Sequence, residues 1–557
     1  MKYKYRKGRV GLSVITTAVV TVLAGASASA MEFDTGNPDI TARWDNTFKY
    51  STMYRLNNPD AAQVATYAAA GGAADDGENS FRQGIASSRM DWLTELDLGF
   101  GADAGLRVSA AAWYDPVYQR GNANTSAATS NNPLGTPANQ FAPGTVDALG
   151  QGSRLMDAFV YKKGLLGDMP ASVRFGNHTV IYGETLMSGS NGIAAAQGPV
   201  DIVKAATVPG AQVKEFLLPT PQVSGSLQVN DKLTLGAYYQ LGWQKSPFFA
   251  PGSFLSPNDF LGPSHSFLPG ITTRTPDQTA SDSGQWGAQA RIKGGDVEYG
   301  VYAANYHDKT PSAVYLNVGV NPVLTGLGLT PPASIAPTTF TQVYGQNIGV
   351  VGASASTVWG SDNVSMEVSQ RSNMPLTGGS GYVVATTTLL GGPAYDNNNN
   401  PGYAVGTTQH MTLVDIHVIQ PNFLMRDGGS IATQIDYHRV ASVEKNQGVL
   451  NASIAQDHST EDAATITSAF SADWFQAADG LDLSIPLVVS YSVGRSRVFA
   501  AWVDHGGTVS TGVNFTYNNV WKGGLLFNHY YGPHGVGLFD QTLWDRDYLS
   551  FNISRSF

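Results

Sequence analysis

The sequence predicts an all-β protein, a transmembrane antiparallel up-and-down β-barrel of about eighteen strands, or about sixteen if the weakest candidates are discounted. Three observations support this fold class: period-two alternation of apolar and polar residues, an ordered alternation of short and long connections, and an amphipathic strand at the carboxyl end. Only 14% of the 557 residues are charged, yet the mean hydropathy is -0.13. Apolar residues are therefore dispersed among polar ones, as strand alternation requires.

Residues 1–30 are predicted to be a secretory signal peptide that is removed on export. The stretch begins with basic residues and continues as an apolar run from about Leu12 to Ala26. It ends with Ala28-Ser29-Ala30, a small-x-small cleavage pattern. A membrane-anchor helix is the alternative, but the run is short and lacks a flanking anchor. The remaining chain, 31–557, is predicted to be a single barrel domain in the bacterial outer membrane.

The strands are predicted wherever one face is apolar and the other polar over about ten residues. In the stretch 90–100, the even-numbered positions are mostly apolar, whereas Asp91, Glu95 and Asp97 lie on the opposite face. The same period recurs in the stretches 233–243, 481–491, 509–517 and 521–527. A strand between lipid and a wet lumen needs both faces, so the apolar face is expected to contact lipid.

The connections between these strands alternate in length. Short turns are predicted at 102–104, 164–169, 230–231, 294–296, 360–363, 421–429, 477–480 and 518–519. Long connections are predicted at 60–84, 119–150, 183–218, 245–284, 308–346, 372–406 and 441–463. Bacterial barrels have short periplasmic turns and long extracellular loops, so this order favours a barrel over a soluble sandwich.

The carboxyl end carries the most specific pattern. Leu549, Phe551, Ile553 and Phe557 alternate with small polar residues. A terminal aromatic residue on such a strand resembles the signal that the outer-membrane assembly machinery reads. Phe551, Ile553 and Phe557 are therefore predicted to form the membrane-assembly signal. Arg555 interrupts the apolar face, but near a strand end its side chain can reach the interface.

The polar strand faces predict the lining of the lumen. The residues assigned to it are Asp91, Glu95, Asp97, Arg107, Arg174, Arg291, Glu298, Asp415, His417, Asp436 and His438. Side chains of both signs across a pore orient dipolar solutes and tune ion selectivity. Asp415 with His417, and Asp436 with His438, are expected on neighbouring strands, where they form a constriction, a proton-sensitive gate, an adventitious metal site or simply a solvated wall. A register error of one residue would reverse each assignment.

The connection 183–218 differs from the other long connections because it mixes apolar and charged residues. We predict that this loop folds into the lumen as a plug or constriction, with apolar residues as a landing site for a hydrophobic solute. Packing on a neighbouring subunit or on the rim is the alternative. The residues predicted to act in the constriction are Glu184, Ile202, Val203, Lys204, Lys214 and Phe216.

Composition and motifs argue against an enzyme and against several kinds of site. The chain has no cysteine, which excludes disulfides, thiolate metal sites and cysteine nucleophiles. Its formal net charge of -10 leaves no generic affinity for nucleic acid. The run Asp396 to Asn400 faintly suggests a calcium loop, but Pro401 stands where glycine is needed. No cofactor is expected, and a phospholipase-type serine beside a histidine is left open.

The sequence resembles a known protein family over nearly the whole mature chain. The stretch 33–39, Phe-Asp-Thr-Gly-Asn-Pro-Asp, leads into Arg43-Trp44-Asp45-Asn46-Thr47. This opening is similar to that of a proteobacterial family catalogued as a domain of unknown function, and 174–184, 218–227 and 238–243 resemble it more weakly. The resemblance implies an outer-membrane barrel that handles hydrophobic compounds or lipids. It also implies a periplasmic partner protein and an inner-membrane permease of the resistance-nodulation-division type, and it supplies no site residues.

These inferences lead to one principal functional hypothesis and two alternatives. The first is an outer-membrane channel or transporter for small hydrophobic or amphipathic molecules, narrowed by an inward loop. A general or substrate-specific porin for polar solutes is the second. A surface adhesin or receptor that acts through the long loops belongs to another class. The predicted partners are outer-membrane lipid and lipopolysaccharide, the assembly machinery and a small hydrophobic solute.

Overall fold

The computed structural model describes residues 31–69, 75–127, 129–131, 134–268, 271–386, 395–397, 399–499 and 502–557. The predicted signal peptide, 1–30, lies outside the described residues, as does part of the run Asp396 to Asn400. Among the described residues, no helix is both long and apolar enough to cross a membrane.

Strands make up most of the described chain. They are β1 (Met31–Phe33), β2 (Ile40–Arg55), β3 (Gly84–Phe100), β4 (Ala104–Tyr114), β5 (Gln151–Leu166), β6 (Met169–His178), β7 (Thr220–Gln228), β8 (Leu233–Gln240), β9 (Thr273–Arg274), β10 (Trp286–Gly294), β11 (Val297–Tyr306), β12 (Ala313–Val320), β13 (Ile335–Val343), β14 (Ile348–Trp359), β15 (Asp362–Pro375), β16 (Val383–Thr386), β17 (Val405–Ile419), β18 (Gly429–Lys445), β19 (Asp462–Ala478), β20 (Leu481–Val493), β21 (Gly506–Tyr517), β22 (Trp521–Tyr531) and β23 (Tyr548–Ser556).

A closed antiparallel barrel forms from one of the two sheets. In the described residues this sheet has 19 strands, of which β1 is a three-residue addition to β2, so eighteen form the barrel wall. Each wall strand pairs with the next one along the wall, and β2 pairs with β23 from Thr47↔Ser556 to Arg55↔Tyr548. Every backbone ladder therefore has a partner on both sides, which is what a sheet in lipid requires. The predicted fold class and strand number are confirmed.

The connections follow the predicted order of short and long segments. Each short turn lies where the alternation of apolar and polar residues ends in the sequence. Examples are 295–296 between β10 and β11 and 360–361 between β14 and β15. Two further long connections, 494–505 and 532–547, were not predicted. They connect β20 to β21 and β22 to β23.

The outer face of the barrel is apolar, because the residues of the predicted lipid face project outwards. Val513, Leu525 and Leu549 remain 43%, 53% and 38% exposed, since no other part of the chain covers them. At the closure, the Phe48 and Phe557 rings stack at 5.8 Å. The Phe557 N–H also donates to the Asn46 carbonyl at 2.9 Å. The terminal aromatic residue therefore packs at the seam where the wall closes, and its role as an assembly signal stays a prediction.

The helices are short and all lie in long connections. They are α1 (Ala61–Ala69), α2 (Asp76–Ser80), α3 (Pro143–Thr145), α4 (Ile202–Thr207), α5 (Val213–Phe216), α6 (Pro322–Gly326) and α7 (Gln447–Asp457), with 3-10 turns at Pro116–Gln119, Ile193–Ala196 and Gly379–Tyr382 and a π turn at Val146–Gly150. Asp201 caps α4, where its carboxylate accepts from the Lys204 N–H at 2.9 Å. Such caps allow short helices to form inside otherwise irregular segments.

A packed cap covers the long-loop end of the barrel. We define the cap as the described residues of the connections 56–83, 115–150, 241–285, 307–347, 376–404 and 532–547. Its centre is apolar, and Phe81, Tyr118, Phe141 and Phe254 share one buried cluster. Beside it, β16, β12, β13 and β9 form a small second sheet in that order. The long connections were predicted as polar loops, whereas much of their length is folded and buried.

Candidate functional site

The interior of the barrel is the candidate site, and the connection between β6 and β7 runs through it. We call this connection, residues 179–219, the lumen segment. Its side chains and backbone contact wall strands on opposite sides of the barrel, β2, β3 and β5 on one side and β15, β17 and β18 on the other. Packing on an outer rim, the alternative considered for this loop, is therefore wrong.

The first anchor of the lumen segment holds its backbone. The Glu367 carboxylate on β15 accepts the N–H groups of Glu184 at 2.8 Å and Ile193 at 2.6 Å. Four residues further along, the Arg371 guanidinium donates to the carbonyls of residues 190, 191 and 192 at 2.9, 2.7 and 2.9 Å. Both side chains are buried. They satisfy turn backbone that has no secondary-structure partner of its own.

Neighbouring strands extend this anchor. The Gln434 amide oxygen on β18 accepts the N–H groups of Leu186 and Met187, each at 2.8 Å. The Asn191 side-chain amide donates to the Met411 carbonyl at 2.9 Å, and its oxygen accepts from His410 Nδ1, also at 2.9 Å. A buried network in which each member has partners rigidifies the segment it contains.

The second anchor is a group of buried charges, which we call the lumen cluster: Lys49, Arg89, Asp91, Lys204 and Glu215. Lys49 Nζ lies 2.6 Å from Glu215 Oε1, and Lys204 Nζ lies 3.1 Å from Asp91 Oδ1 and 3.3 Å from Glu215 Oε2. Arg89 Nε is 2.9 Å from Asp91 Oδ2. Since Lys204 and Glu215 belong to the lumen segment and the others to β2 and β3, these pairs fix α4 and α5 to the wall.

The predicted lining residues mostly face the interior. Arg107 pairs with Glu95, with Asp97 at 2.8 Å and with Asp157 at 3.2 Å. Arg291 joins Glu298 to Glu184 of the lumen segment. The remaining inward-facing residues are Asp91, Arg174, Asp436 and His438. These positions agree with the face that alternation assigned to them.

Asp415 and His417 are exceptions, and their assignment to the lumen is wrong. On β17 the inward positions are the even-numbered ones, since Thr412 pairs with Glu367 and His410 with Ser369. His417 instead pairs with Asp362 on the outer face, where its Nδ1 lies 2.7 Å from the Asp362 carboxylate. Both residues lie close to the short-turn end of β17, where a polar side chain on the outer face can reach water.

The predicted constriction residues are all in the lumen segment, but they do not all face open space. Glu184 pairs with Arg291 at 3.1 Å, and Lys214 pairs with Glu95. Val203 is buried in the apolar cluster of the cap, and Ile202 and Phe216 are half-buried. A landing site at Val203 is therefore wrong. Three large apolar residues of the segment, Ile181, Leu186 and Val213, remain 59%, 50% and 55% exposed.

One wall of the interior is uncharged over most of its height. We call it the hydroxyl wall, formed by Thr465, Thr467, Ser484, Ser490, Thr508, Ser510 and Asn528 on β19 to β22. Ser490 and Thr508 share a hydrogen bond of 2.9 Å across two strands. All seven side chains are half-buried, so they are open to a solute in the lumen. The charged inward residues of these strands, Asp473, Asp482 and Lys522, lie near the short turns.

A buried serine and histidine lie together above the first anchor. Ser496 Oγ is 2.9 Å from His438 Nε2, which is the contact that a serine hydrolase needs. However, both residues are fully buried beside Phe499 and Trp502. The Ser496 hydroxyl also accepts two backbone N–H groups, and His438 Nδ1 has no hydrogen-bond partner in the described residues. The pair therefore lacks both access and the group that orients the base.

The cap contains a second group of buried charges, which we call the cap cluster: Arg55, Asp75, Asp76, Glu78, Asp259, Asp545 and Arg546. Arg55 Nη2 lies 2.9 Å from both Glu78 and Asp545. Arg546 pairs with Asp75 and, at 2.9 Å, with Glu78. Asp259 accepts the Asp76 N–H at 2.6 Å. Three connections, 56–83, 241–285 and 532–547, meet in this cluster.

Burial sets the protonation of the cap cluster. It raises the pKa of Asp75 and of Asp259, and it raises the pKa of Asp545 to about 7, with a further contribution from the adjacent Glu78. Burial would also raise the pKa of Glu78, but Arg546, the neighbouring Asp545 and Arg55 outweigh it and lower that pKa to about 2. The cluster thus holds protons at a pH at which exposed carboxyl groups are ionised.

Several residues of the site were not predicted, although some left a trace in the sequence. Glu367, Ser369 and Arg371 alternate with Met366 and Val368, which is the same pattern that identified the acids of β3. Applied to β15, it would have placed both charges in the lumen. Gln434, Asn191 and the cap cluster left no such trace, because their roles depend on loops that meet only in the folded chain.

Comparison with known proteins identifies one family and several barrels. The model of the family described as "Protein of unknown function (DUF1302)" matches residues 12–557. No curated protein matches the chain. Acinetobacter baumannii OccAB1 is 11% identical with a TM-score of 0.42, covering 95% of this chain and 98% of its own. The BenF-like porin from Pseudomonas fluorescens Pf-5 is 10% identical with a TM-score of 0.41, covering 93% and 98%. Salmonella typhi OmpF, solved in a complex with daunomycin, is 8% identical with a TM-score of 0.37, covering 95% and 100%.

Proposed function

The chain belongs to the DUF1302 family, whose description names no activity, and from its geometry we propose that it is an outer-membrane channel for small amphipathic molecules. One observation carries the proposal: the lumen segment crosses the barrel interior and is anchored on opposite walls. An interior divided in this way offers a narrowed passage instead of a wide pore of the size that this strand number allows.

The placement in the outer membrane is supported by the wall itself. Its outer face is apolar, its ladder is closed, and short and long connections alternate. These are the properties of barrels that span the outer membrane with short periplasmic turns. We accordingly assign the cap to the cell surface and the short turns to the periplasm.

The solute class follows from what remains open in the lumen. The hydroxyl wall supplies donors and acceptors without charge, and Leu186 and Val213 of the lumen segment supply exposed apolar surface. A solute with a small polar group and an apolar body can satisfy both surfaces, whereas an ion would find no counter-charge on either of them.

A porin for polar solutes is the second candidate, and the hydroxyl wall is the observation that favours it. The two candidates differ in the use of Leu186 and Val213, which a polar solute would avoid. Leu186→Ser and Val213→Ser together should reduce the flux of an alkyl alcohol several-fold if the solute is amphipathic, by loss of apolar contact. Unchanged alcohol flux with faster sugar flux would support the polar porin instead.

The test of the channel is single-channel conductance of protein purified from outer membranes, compared with a variant that lacks residues 190–212. Low conductance that rises in the variant supports a passage narrowed by the lumen segment. Large currents in both proteins would contradict the narrowing, and silence in both would contradict the channel. A matched control is deletion of residues 323–329 in the outer hairpin between β12 and β13, which should leave the conductance unchanged.

Two predictions from the sequence extend this proposal. A periplasmic partner and an inner-membrane permease, implied by the family resemblance, would make the barrel the outer part of a longer path. The adhesin or receptor hypothesis would instead assign the activity to the cap. Loss of surface binding after deletion of 323–329, with normal conductance, would favour the cap.

A further inference from the structure

We propose that a groove on the outer face of the barrel binds lipid A, the phosphate-bearing glycolipid of the outer leaflet. The groove has a volume of about 530 Å³ and lies across β14, β15, β17 and β18. It is separate from the lumen, and it rests on the proposed function only through the placement of the barrel in the outer membrane.

The groove is lined by two rows of side chains that cross the strands at different heights. The row nearer the cap runs from Val351 through Gln370 and Gln409 to Arg439, which are successive cross-strand partners. The row nearer the short turns contains Ala353, Val368, Met411 and Tyr437, again as successive partners. The groove is therefore polar along one edge and apolar along the other.

The polar edge lies at the height of lipid headgroups. Arg439 is ten residues from Gly429, where β18 begins at a short turn. A strand tilted by about 40° rises about 2.5 Å per residue along the barrel axis, so Arg439 lies about 25 Å above the periplasmic rim. The apolar band of such barrels is also about 25 Å tall. The apolar row below Arg439 then faces acyl chains, and the row of Arg439 faces the phosphate.

The charge of the groove fits an anionic headgroup. Arg439 is exposed and forms no ion pair with any residue in the described part of the chain. Its cross-strand partner Asp462 accepts a hydrogen bond of 3.4 Å from the Tyr437 hydroxyl. The guanidinium can therefore donate two parallel hydrogen bonds to a phosphate, and the Gln370 and Gln409 amides can donate beside it.

A small residue creates the space for the acyl chain. Ala353 on β14 leaves the floor of the groove open, whereas a side chain at Gly352 would point inwards to Ile193 of the lumen segment. A bulky side chain at 353 projects outwards and would fill the groove without reaching the lumen, because the inward positions of β14 are the even-numbered ones. Ala353→Trp is therefore a means of blocking the groove alone.

The experiment titrates detergent-purified protein with diphosphorylated lipid A and measures the dissociation constant by native mass spectrometry. Arg439→Gln should weaken binding by about tenfold through loss of a charge-assisted contact, and Ala353→Trp by at least as much. Arg426→Gln, an exposed arginine at the opposite rim, is the matched control and should bind normally. Conductance should be the same in all four proteins.

The outcomes separate this proposal from the channel. Equal lipid A binding in Arg439→Gln, Ala353→Trp and the parent protein would overturn the groove while leaving the channel intact. If Arg439→Gln weakened the binding of phosphatidylethanolamine as much as the binding of lipid A, the groove would not recognise the lipid A phosphates, and the proposal would be overturned. If the parent protein were an oligomer and Ala353→Trp a smaller one, a second copy of the chain would occupy the groove, and the proposal would also be overturned. If the two variants bound lipid A more weakly but the parent protein showed no conductance, only the channel would be overturned.

Discussion

The lumen cluster and the cap cluster use the same device, buried charge that ties a connection to the wall, but with opposite charge balance. The lumen cluster contains three cations, Lys49, Arg89 and Lys204, and two carboxylates. The cap cluster contains two arginines and five carboxyl groups. Only the cap cluster must therefore keep protons on its carboxyl groups in order to remain buried.

Because of this difference in charge balance, we expect different perturbations to weaken the two clusters. In the lumen cluster each carboxylate has two cations within 3.3 Å, so no carboxylate of this cluster lacks a counter-charge. In the cap cluster, an increase in pH removes protons that no additional cation can replace. The cap is thus expected to respond to pH and the lumen segment to respond to loss of a cation.

The largest effect is expected from Arg546→Met in the cap cluster. The change leaves Asp75 and Glu78 buried with only Arg55 to compensate, so stability should fall by about 3–5 kcal/mol. Limited proteolysis should then cut the connections 56–83 and 532–547 while the barrel stays resistant. Arg82→Met, at an exposed position, is the control. A protected cap in Arg546→Met would contradict the role given to this arginine.

A smaller effect is expected from Lys204→Met in the lumen cluster. Arg89 still pairs with Asp91 and Lys49 with Glu215, so the expected loss is about 1–3 kcal/mol. Because α4 loses its tie to β3, the mean conductance or the frequency of open events should increase. Lys232→Met, at a short turn, should have no effect. An unchanged current would contradict the role given to Lys204 in holding the segment.

The pH dependence of the cap sharpens the comparison further. The raised pKa values of Asp75, Asp259 and Asp545 mean that the folded cap binds more protons than the unfolded chain, so their contribution is complete below about pH 4 and is lost as the pH rises to about 7. The lowered pKa of Glu78 acts in the opposite sense, and its contribution is lost as the pH falls from about 4 towards 2. Resistance of the cap to an acid-tolerant protease should therefore be highest near pH 4–5.

The control for this prediction is Asp545→Asn, which removes one of the titrating groups. The decline in resistance between pH 5 and pH 7.5 should become shallower in this variant, because the amide carries no proton to lose. Conductance of the parent protein should change less than cap resistance over the same range. A cap that becomes more resistant as the pH rises would contradict the direction of all three raised pKa values.

The smallest effect is expected from His417→Gln and Asp415→Asn on the outer face of β17. Neither side chain contacts the lumen segment, so conductance should change by less than about a tenth, as for surface substitutions in general. A substitution at the inward-facing Glu367 provides the contrast, since Glu367→Gln alters two contacts of the first anchor. A larger change in His417→Gln than in Glu367→Gln would reverse the faces assigned to these strands.

The sequence predicts the wall well because the wall follows local rules. Alternation locates each strand, and residues such as Asn518 and Asn519, both with positive φ, mark tight turns. The count of strands follows from these local features alone. The error at Asp415 and His417 arises in the stretch 412–417, where Leu413 and Val414 break the alternation. Asp415 and His417 were assigned to the lumen because they are polar. Near the short-turn end of β17, however, the outer face of the barrel also contacts water, so a polar residue can lie on either face.

The cap and the anchors could not be predicted because their partners are far apart in the sequence. Arg546 meets Asp75 across 471 residues, and Arg371 meets Asn191 across 180. Local pattern carries no information about such pairs, since each residue is compatible with an exposed loop or a solvated wall. The lumen segment itself was predicted only because its apolar content was unusual for an outer loop.

The pairing of β2 with β23 means that the barrel can close only after the last strand of the chain has been synthesised. Thr47 and Ser556 share a hydrogen bond across 509 residues, so the contact order of the wall is very high. Contacts of this kind form slowly, and until they form, both edge strands present unpaired backbone groups that can join other chains. We therefore expect the newly made chain to depend on chaperones in transit, and a chain without its final strand to aggregate before it reaches the bilayer.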